Sequence, residues 1–290
     1  VQVIENNNVV ILGNFDGVHI GHKKLINEAI IYAKKNKLKT LIYIFENFPY
    51  KNKVITTLEE KITILKDLGI DEIYLDDFNV IKNLNEIEFV NNILKQKLNA
   101  KIVFCGFNYT FGHNKSGNAN KLKELIETNI IEEVKLKGIT VSSTLIRNLI
   151  LSGYMETASK FLGRPYNCSG IVVKGKQIGR TIGFPTANIL PEENKIYPPY
   201  GAYGTTVRIE GMDKTYQSIM NIGKNPTIDN KNRVTIETNI FDFNSNIYGK
   251  KIKVILHKRL RCEKKFDSLI QLKEQIYLDT LGWRMINDKY

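Results

Sequence analysis

The sequence predicts an α/β protein of two domains. Residues 1–162 read as a Rossmann-like domain, a parallel sheet wrapped by helices. Residues 163–290 read as a small antiparallel β-barrel with a C-terminal helix. Three observations predict this. The chain has 290 residues, of which 42% are hydrophobic, which suits two cores of ordinary size. Its first half alternates short apolar runs with stretches of helical period, the pattern of strands joined by crossover helices. Near Leu162-Gly163-Arg164-Pro165 the character changes, and Gly and Pro then punctuate short β-rich runs.

VVILGNF (Val9–Phe15) is an apolar run and reads as a buried strand. Lys23 to Lys35 carries Leu25, Ile26, Ala29, Ile30 and Ala33 at helical spacing. LKTLIYIF (38–45) is the second strand. Thr57 to Leu68 is a helix, with Thr57 and Glu60 placed as a capping box, Leu58, Ile62, Leu65 and Leu68 as its stripe, and Gly69 as its stop. Glu72 to Leu75 is a strand. Asn85 to Leu98 is a helix with Phe89, Val90, Ile93, Leu94 and Leu98 inward. KIVFCGF (101–107) is a strand, Lys121 to Glu127 a helix, Glu132 to Lys137 a further strand, and a helix begins near Ser143. Beyond the junction, SGIVVKG, AYGTTVRI, YQSIMNIG, RVTIETNIFDF and KIKVILHKRL are strands of a five- or six-stranded closed barrel. A helix follows from Ser268 to Leu278.

Composition narrows the function classes. The net charge of +12 suits an anionic partner or simply Lys-rich solvated helix faces. No basic block of five or more residues occurs and the aromatics are not interleaved with Arg, so no nucleic-acid partner is expected. VVIL and AIIYA are too short to cross a bilayer, and VQVIENNN lacks the basic and apolar regions of a secretory signal. Cys105, Cys168 and Cys262 are odd in number and far apart, without zinc or disulfide spacing. The expectation is a reduced, cytoplasmic protein. The oligomeric state is not given by the sequence.

Two of the four histidines stand in NFDGVHIGH (Asn14–His22), just after the first strand. A strand-to-helix turn in a doubly wound sheet faces the ligand crevice, and unpaired N–H groups at a helix start favour anions. His19 and His22, at i and i+3, could donate to phosphate oxygens. Gly17 frees the turn and Gly21 leaves room for a nucleotide. A metal pair or a plain structural pair are the alternatives, and no Cys or Glu stands close by in sequence to complete a metal site. Farther on, VSSTLIR (Val141–Arg147) puts Ser142, Ser143 and Thr144 ahead of an apolar helix, where hydroxyls cap N–H groups or hold phosphate oxygens.

The HIGH tetrapeptide is the HxGH signature of the nucleotidyltransferase superfamily. Class I aminoacyl-tRNA synthetases share it, but this chain has no KMSKS-type segment. GNFDGVHIGH (Gly13–His22), GFNYTFG (Gly106–Gly112), VSSTLIR, LGRPY (Leu162–Tyr166) and GRTIGFPTANI (Gly179–Ile189) together resemble the bacterial bifunctional riboflavin kinase/FMN adenylyltransferase family, also called FAD synthetase. The resemblance covers nearly the whole chain and implies two reactions. Riboflavin takes the γ-phosphoryl group of ATP to give FMN, and FMN takes AMP from a second ATP to give FAD and pyrophosphate. The implied localisation is cytoplasmic, with small molecules as the partners and Mg²⁺ as cofactor in both steps.

The resemblance also implies roles. In the N-terminal site Gly13, Asn14, Phe15, Asp16, Gly17 and Gly21 would bind ATP. His19, His22, Ser143, Thr144 and Arg147 would act on its phosphates. Asn108 would contact flavin; many relatives have Asp there, and FENFP (Phe45–Pro49) stands where FDPHP is common. These departures leave open a member with a single working site. In the barrel Gly179, Thr181, Gly183 and Pro185 would bind ATP, and Thr186 and Asn188 offer hard oxygens for Mg²⁺. The alternation of RVTIETNIFDF turns Glu237 away from Val234, Ile236, Thr238 and Ile240, and a Glu in the matching strand is the family's general base. Glu263 and Lys264 fall in a family-like segment and receive no role. A flavin- or RNA-binding regulator on the same fold is the competing class, motivated by the charge.

Overall fold

The computed structural model describes residues 7–46, 53–175, 178–225 and 233–287. The chain divides into two compact units, Val1–Leu145 and Ile146–Tyr290. The first unit is built on five parallel strands: β1 (Asn8–Leu12), β2 (Lys39–Phe45), β3 (Glu72–Asp76), β4 (Ala100–Gly106) and β5 (Thr128–Ile131), in the order β3-β2-β1-β4-β5. Every residue of β1 is buried, as a strand covered on both faces requires. Val10 and Leu12 point into one core with Phe89, Leu94 and Leu122. Val9 and Ile11 point into the other with Leu25, Ile26 and Leu65.

Helix α1 (Ile20–Asn36) starts three residues earlier than the apolar period suggests, because His19 caps it. Helix α2 (Leu58–Asp67) has the Thr57/Glu60 capping box and ends before Gly69, which takes φ +88°. The expected helix over Asn85–Leu98 forms differently. Asn85 and Glu88 make a capping box, but Phe89–Lys97 is wound as a π-helix, closed by the Leu98 N–H on the Ile93 carbonyl. Helix α3 (Ala119–Leu125) begins two residues before the expected position, at the Asn118 cap.

The expected strand Glu132–Lys137 is corrected. The edge strand of the sheet is β5, paired through Thr128–Ile131 to Val103–Gly106. Lys135–Leu136 instead makes a small hairpin with Ile139–Thr140 across Lys137 and Gly138, both at positive φ (52° and 80°). Helices α4 (Ser143–Leu151) and α5 (Met155–Leu162) follow.

The second unit carries a closed barrel of β6 (Tyr166–Val173), β7 (Thr186–Ile189), β8 (Gly201–Ile209), β9 (Thr215–Asn225), β10 (Arg233–Ile240) and β11 (Lys251–Cys262), in the order β6-β7-β10-β9-β8-β11. All pairs are antiparallel. Helix α6 (Leu269–Asn287) runs well beyond the expected end at Leu278. It docks through Trp283, which is 1% exposed, lies flat on Gly204 and donates its Nε1 hydrogen to the Thr205 carbonyl at 3.1 Å. A Cβ on Gly204 would lie 2.4 Å from the indole, so only glycine admits the ring there. Trp283→Ala is therefore expected to destabilise this unit by about 3–5 kcal/mol in denaturant titration. A loss below about 1 kcal/mol would mean that α6 does not depend on this anchor.

Candidate functional site

The first site lies where the strand order reverses, between β1 and β4, at the carboxyl ends of the strands. This is the position of the ligand crevice in open α/β sheets. β1 leads into Gly13–His22 and β4 leads into the turn at Gly106–Tyr109.

The turn after β1 is strained. Phe15 and Val18 sit at φ 49° and 40°, and Gly17 at 87°. A β-branched residue at positive φ is rare and persists only where its surroundings over-determine it. Here they do. Asp16 Oδ1 accepts the Ile55 N–H at 2.8 Å, and the Gly17 N–H donates to Thr56 Oγ1 at 3.1 Å. The Ser143 hydroxyl donates to the Asp16 carbonyl at 2.8 Å, and Lys61 Nζ donates to the Asn14 carbonyl at 2.9 Å.

At the end of this turn the two histidines cap the helix reciprocally. His19 Nδ1 accepts the His22 N–H at 3.2 Å, and His22 Nδ1 accepts the His19 N–H at 3.3 Å. The rings stack with centroids 3.6 Å apart and planes 11° apart. An acceptor Nδ1 fixes the neutral tautomer, so each ring carries its proton on Nε2. A Cβ on Gly21 would lie 3.2 Å from the His19 ring, so this glycine first serves the stack. Gly13 in turn faces the Phe15 ring, which packs on His22 at 5.1 Å.

Some predicted residues point inward. Phe15 is fully buried and Asp16 is 4% exposed, so their side chains hold the turn and only their backbone can face a ligand. Asn14 and Thr144 are exposed, Ser143 is half-buried, and Ser142 caps α4 by accepting the Leu145 N–H at 3.2 Å. Arg147 is on the second turn of α4 and half-buried. Asn108 is exposed on the turn after β4, beside the half-buried Tyr109, whose phenol ionisation is pushed up by burial. Of FENFP, residues 47–49 lie outside the described part. Thr56 and Lys61 were not legible as site residues, since they brace the turn from 39 and 47 positions away. Cys105 lies on β4 beside Leu12 of β1, with its thiol pushed up to about 12 by burial, so it is no nucleophile at neutral pH.

The second group of residues sits on the barrel. Thr186 donates to Glu237 Oε2 at 3.4 Å, and Asn188 stands opposite Glu237 across the β7–β10 pair. Asn239 donates to the Pro185 carbonyl at 2.7 Å. The inward partners of this strand, Ile236, Thr238 and Ile240, are buried as the alternation predicts. Gly175 packs on the Asn188 amide, where a Cβ would lie 2.3 Å from Nδ2. Gly179 meets the Phe184 carbonyl equally closely and accepts the Phe184 N–H at 2.8 Å, so its bareness closes the loop. Gly183, at φ +87°, has no described atom within 4 Å of where a Cβ would stand, and Thr181 and Pro185 are exposed. Thr186, Asn188 and Glu237 are all hard oxygen donors, a set that fits Mg²⁺ beside phosphate.

The profile of the FAD synthetase family matches residues 1–145, and that of the riboflavin kinase family matches residues 162–286. The bifunctional riboflavin kinase/FMN adenylyltransferase of Buchnera aphidicola subsp. Schizaphis graminum is 38% identical over 96% of this chain and 94% of its own. The enzymes of that name from Bacillus subtilis and Escherichia coli K12 are 35% and 32% identical, over 93% and 95% of this chain and 90% and 91% of theirs. A solved structure described as a macrolide-efflux protein from Streptococcus pneumoniae matches with a TM-score of 0.88 at 37% identity, covering 97% of this chain and 94% of that one.

Asp16→Ala removes the acceptor of the buried Ile55 N–H and is expected to cost about 1–3 kcal/mol of stability in denaturant. Asp16→Asn, which keeps an acceptor oxygen, should retain most of it. Equal stability of the Ala variant and the parent would show that the turn is held without this bond.

Proposed function

The chain belongs to the bifunctional riboflavin kinase/FMN adenylyltransferase family, and we propose that its two reactions are divided between residues 1–162 and residues 163–290. It transfers the γ-phosphoryl group of ATP to riboflavin, giving FMN, and the AMP of a second ATP to FMN, giving FAD and pyrophosphate. The residues of both sites serve group transfer, and none of them accounts for the efflux named for the S. pneumoniae protein.

In adenylyl transfer the carrying observation is the reciprocal cap of His19 and His22. With both Nδ1 atoms engaged by backbone, each Nε2–H is a preset donor for the triphosphate oxygens at a helix start. The terminal phosphate oxygen of FMN attacks the α-phosphorus of ATP, and the two donors stabilise the charge that gathers on the departing pyrophosphate. The Ser143 and Thr144 hydroxyls and the Arg147 guanidinium contribute further donors to the phosphates. Gly13, Asn14, Gly17 and Gly21 offer backbone to the nucleotide, and Asn108 offers an amide to the flavin.

In phosphoryl transfer Glu237 accepts the proton of the ribityl 5′-hydroxyl as that oxygen attacks the γ-phosphorus. The proximity of Glu237 to Thr186 and Asn188 supports this reading. Gly179, Thr181, Gly183 and Pro185 line the approach of ATP. Mg²⁺, held by Thr186 and Asn188, would neutralise charge on the phosphate oxygens. A cytoplasmic, small-molecule enzyme agrees with three free cysteines, two of them buried, and with the absence among the described residues of any helix long and apolar enough to cross a membrane.

Chromatography of flavins after incubation with riboflavin, ATP and Mg²⁺ tests this. The parent should make FMN and then FAD. His19→Ala and His22→Ala should lower FAD formation about 10²- to 10³-fold with FMN formation intact. Glu237→Gln should lower FMN formation about 10²- to 10⁴-fold and leave adenylylation of added FMN unchanged. Equal loss of both activities in folded His variants would refute two separate sites, and normal kinase turnover in Glu237→Gln would remove that residue from the mechanism.

A further inference from the structure

Helix α6 has two apolar faces, and the barrel uses one. Trp283 and Ile286 pack into the cluster with Ala202, Ile219 and Phe241. Ile270, Tyr277, Leu278, Leu281 and Met285 recur at the spacing of a single helix face turned away from that cluster, and they are 36–72% exposed. Scattered apolar residues on a surface are ordinary, but this is a contiguous stripe. It presents roughly 600 Å² per copy, at the upper end of what monomer surfaces leave open. Gly282, one turn after Leu278 at the edge of the stripe, is a second and independent observation. Inside a helix glycine is the least favourable residue save proline. Here it is not at positive φ, and no described atom lies within 4 Å of where its Cβ would stand. Among the described residues nothing calls for a bare position there, whereas a close approach from outside the chain does.

We propose that the stripe joins two copies of this chain through an antiparallel pair of α6 helices, with a two-fold axis level with Asp279 and Thr280. The stripe's own register selects a second copy as the occupant. In a two-fold contact residue i meets residue j and j meets i. With the axis at that level, Tyr277 meets Leu281 of the second copy along one edge of the stripe. Along the other edge Leu278 enters the bare position at Gly282 of the second copy. Glu274 comes level with Arg284 of the second copy, whose guanidinium is already held by Asp242, so an opposite-charge pair stands at each end. The antiparallel arrangement also sets opposite ends of the two helix dipoles side by side. Two stripes face to face cover roughly 1,200 Å² in total, the size at which specific interfaces begin.

The test is sedimentation velocity of the full chain over a concentration series. The parent is expected to pass from monomer to dimer with a dissociation constant of about 1–100 μM, as an interface near the lower size limit gives. Leu278→Glu and Met285→Glu, both at exposed positions, should raise that constant at least about tenfold and leave FMN and FAD formation intact as the sign of a folded chain. Gly282→Gln supplies a readout of opposite sign. It should raise the melting temperature of the dilute monomer, since glutamine is the better helix former, while weakening the dimer at least about tenfold by filling the position that Leu278 enters. A dimer unchanged in Gly282→Gln and in either Glu variant would overturn the inference by placing the contact on another surface. A parent that stays monomeric at about 100 μM would overturn it outright, and cosedimentation of that monomer with phosphatidylglycerol vesicles would give the stripe to a lipid surface instead.

Discussion

The first unit depends on one constraint: a strained turn must be held so that two imidazoles can cap a helix reciprocally. The turn has Phe15 and Val18 in a backbone region that their side chains disfavour. It stays there because Ile55, Thr56, Lys61 and Ser143 each contribute a bond to it. The reciprocal His19–His22 cap follows from that geometry and fixes the tautomers before any substrate arrives. Preset donors need no reorganisation as charge develops, which is where most of the effect of such groups lies.

The barrel reaches an equivalent end by another route. A sheet has no dipole to offer, so its candidate residues are brought together by register. Thr186 and Asn188 come from one strand and Glu237 from the next, and antiparallel pairing brings them into line. Closure of the barrel keeps that register, because a slip of one residue would turn Glu237 into the core and Thr238 out of it. Trp283 on Gly204 anchors α6 against β8 and, through Ile219, against β9 of the same barrel. Stability and site geometry thus draw on the same pairing.

Local chemistry was readable residue by residue. The Thr57/Glu60 box and the Gly69 stop are formed as the sequence implies, because both are made by neighbours in the chain. Elsewhere a nonlocal partner decided. Glu132–Lys137 had strand-like residues, but the turn at Lys137–Gly138 drew Lys135 and Leu136 into a hairpin and left Thr128–Ile131 to pair with β4. Phe89–Lys97 has helical apolar spacing, and that spacing cannot distinguish a widened winding from an ordinary one.

What the sequence determined by itself is the succession of elements, the two-unit α/β architecture and the residue types gathered at the two candidate sites. These follow from periodicity, Gly and Pro punctuation and short motifs. Only the tertiary structure decided that Asp16 and Phe15 turn inward as braces, that Gly21 and Gly179 are bare for their own neighbours, and that Thr56 and Lys61 brace the turn after β1. Each of those outcomes depends on a bond or close approach across strands or loops far apart in the chain, and no local pattern encodes a partner at that distance.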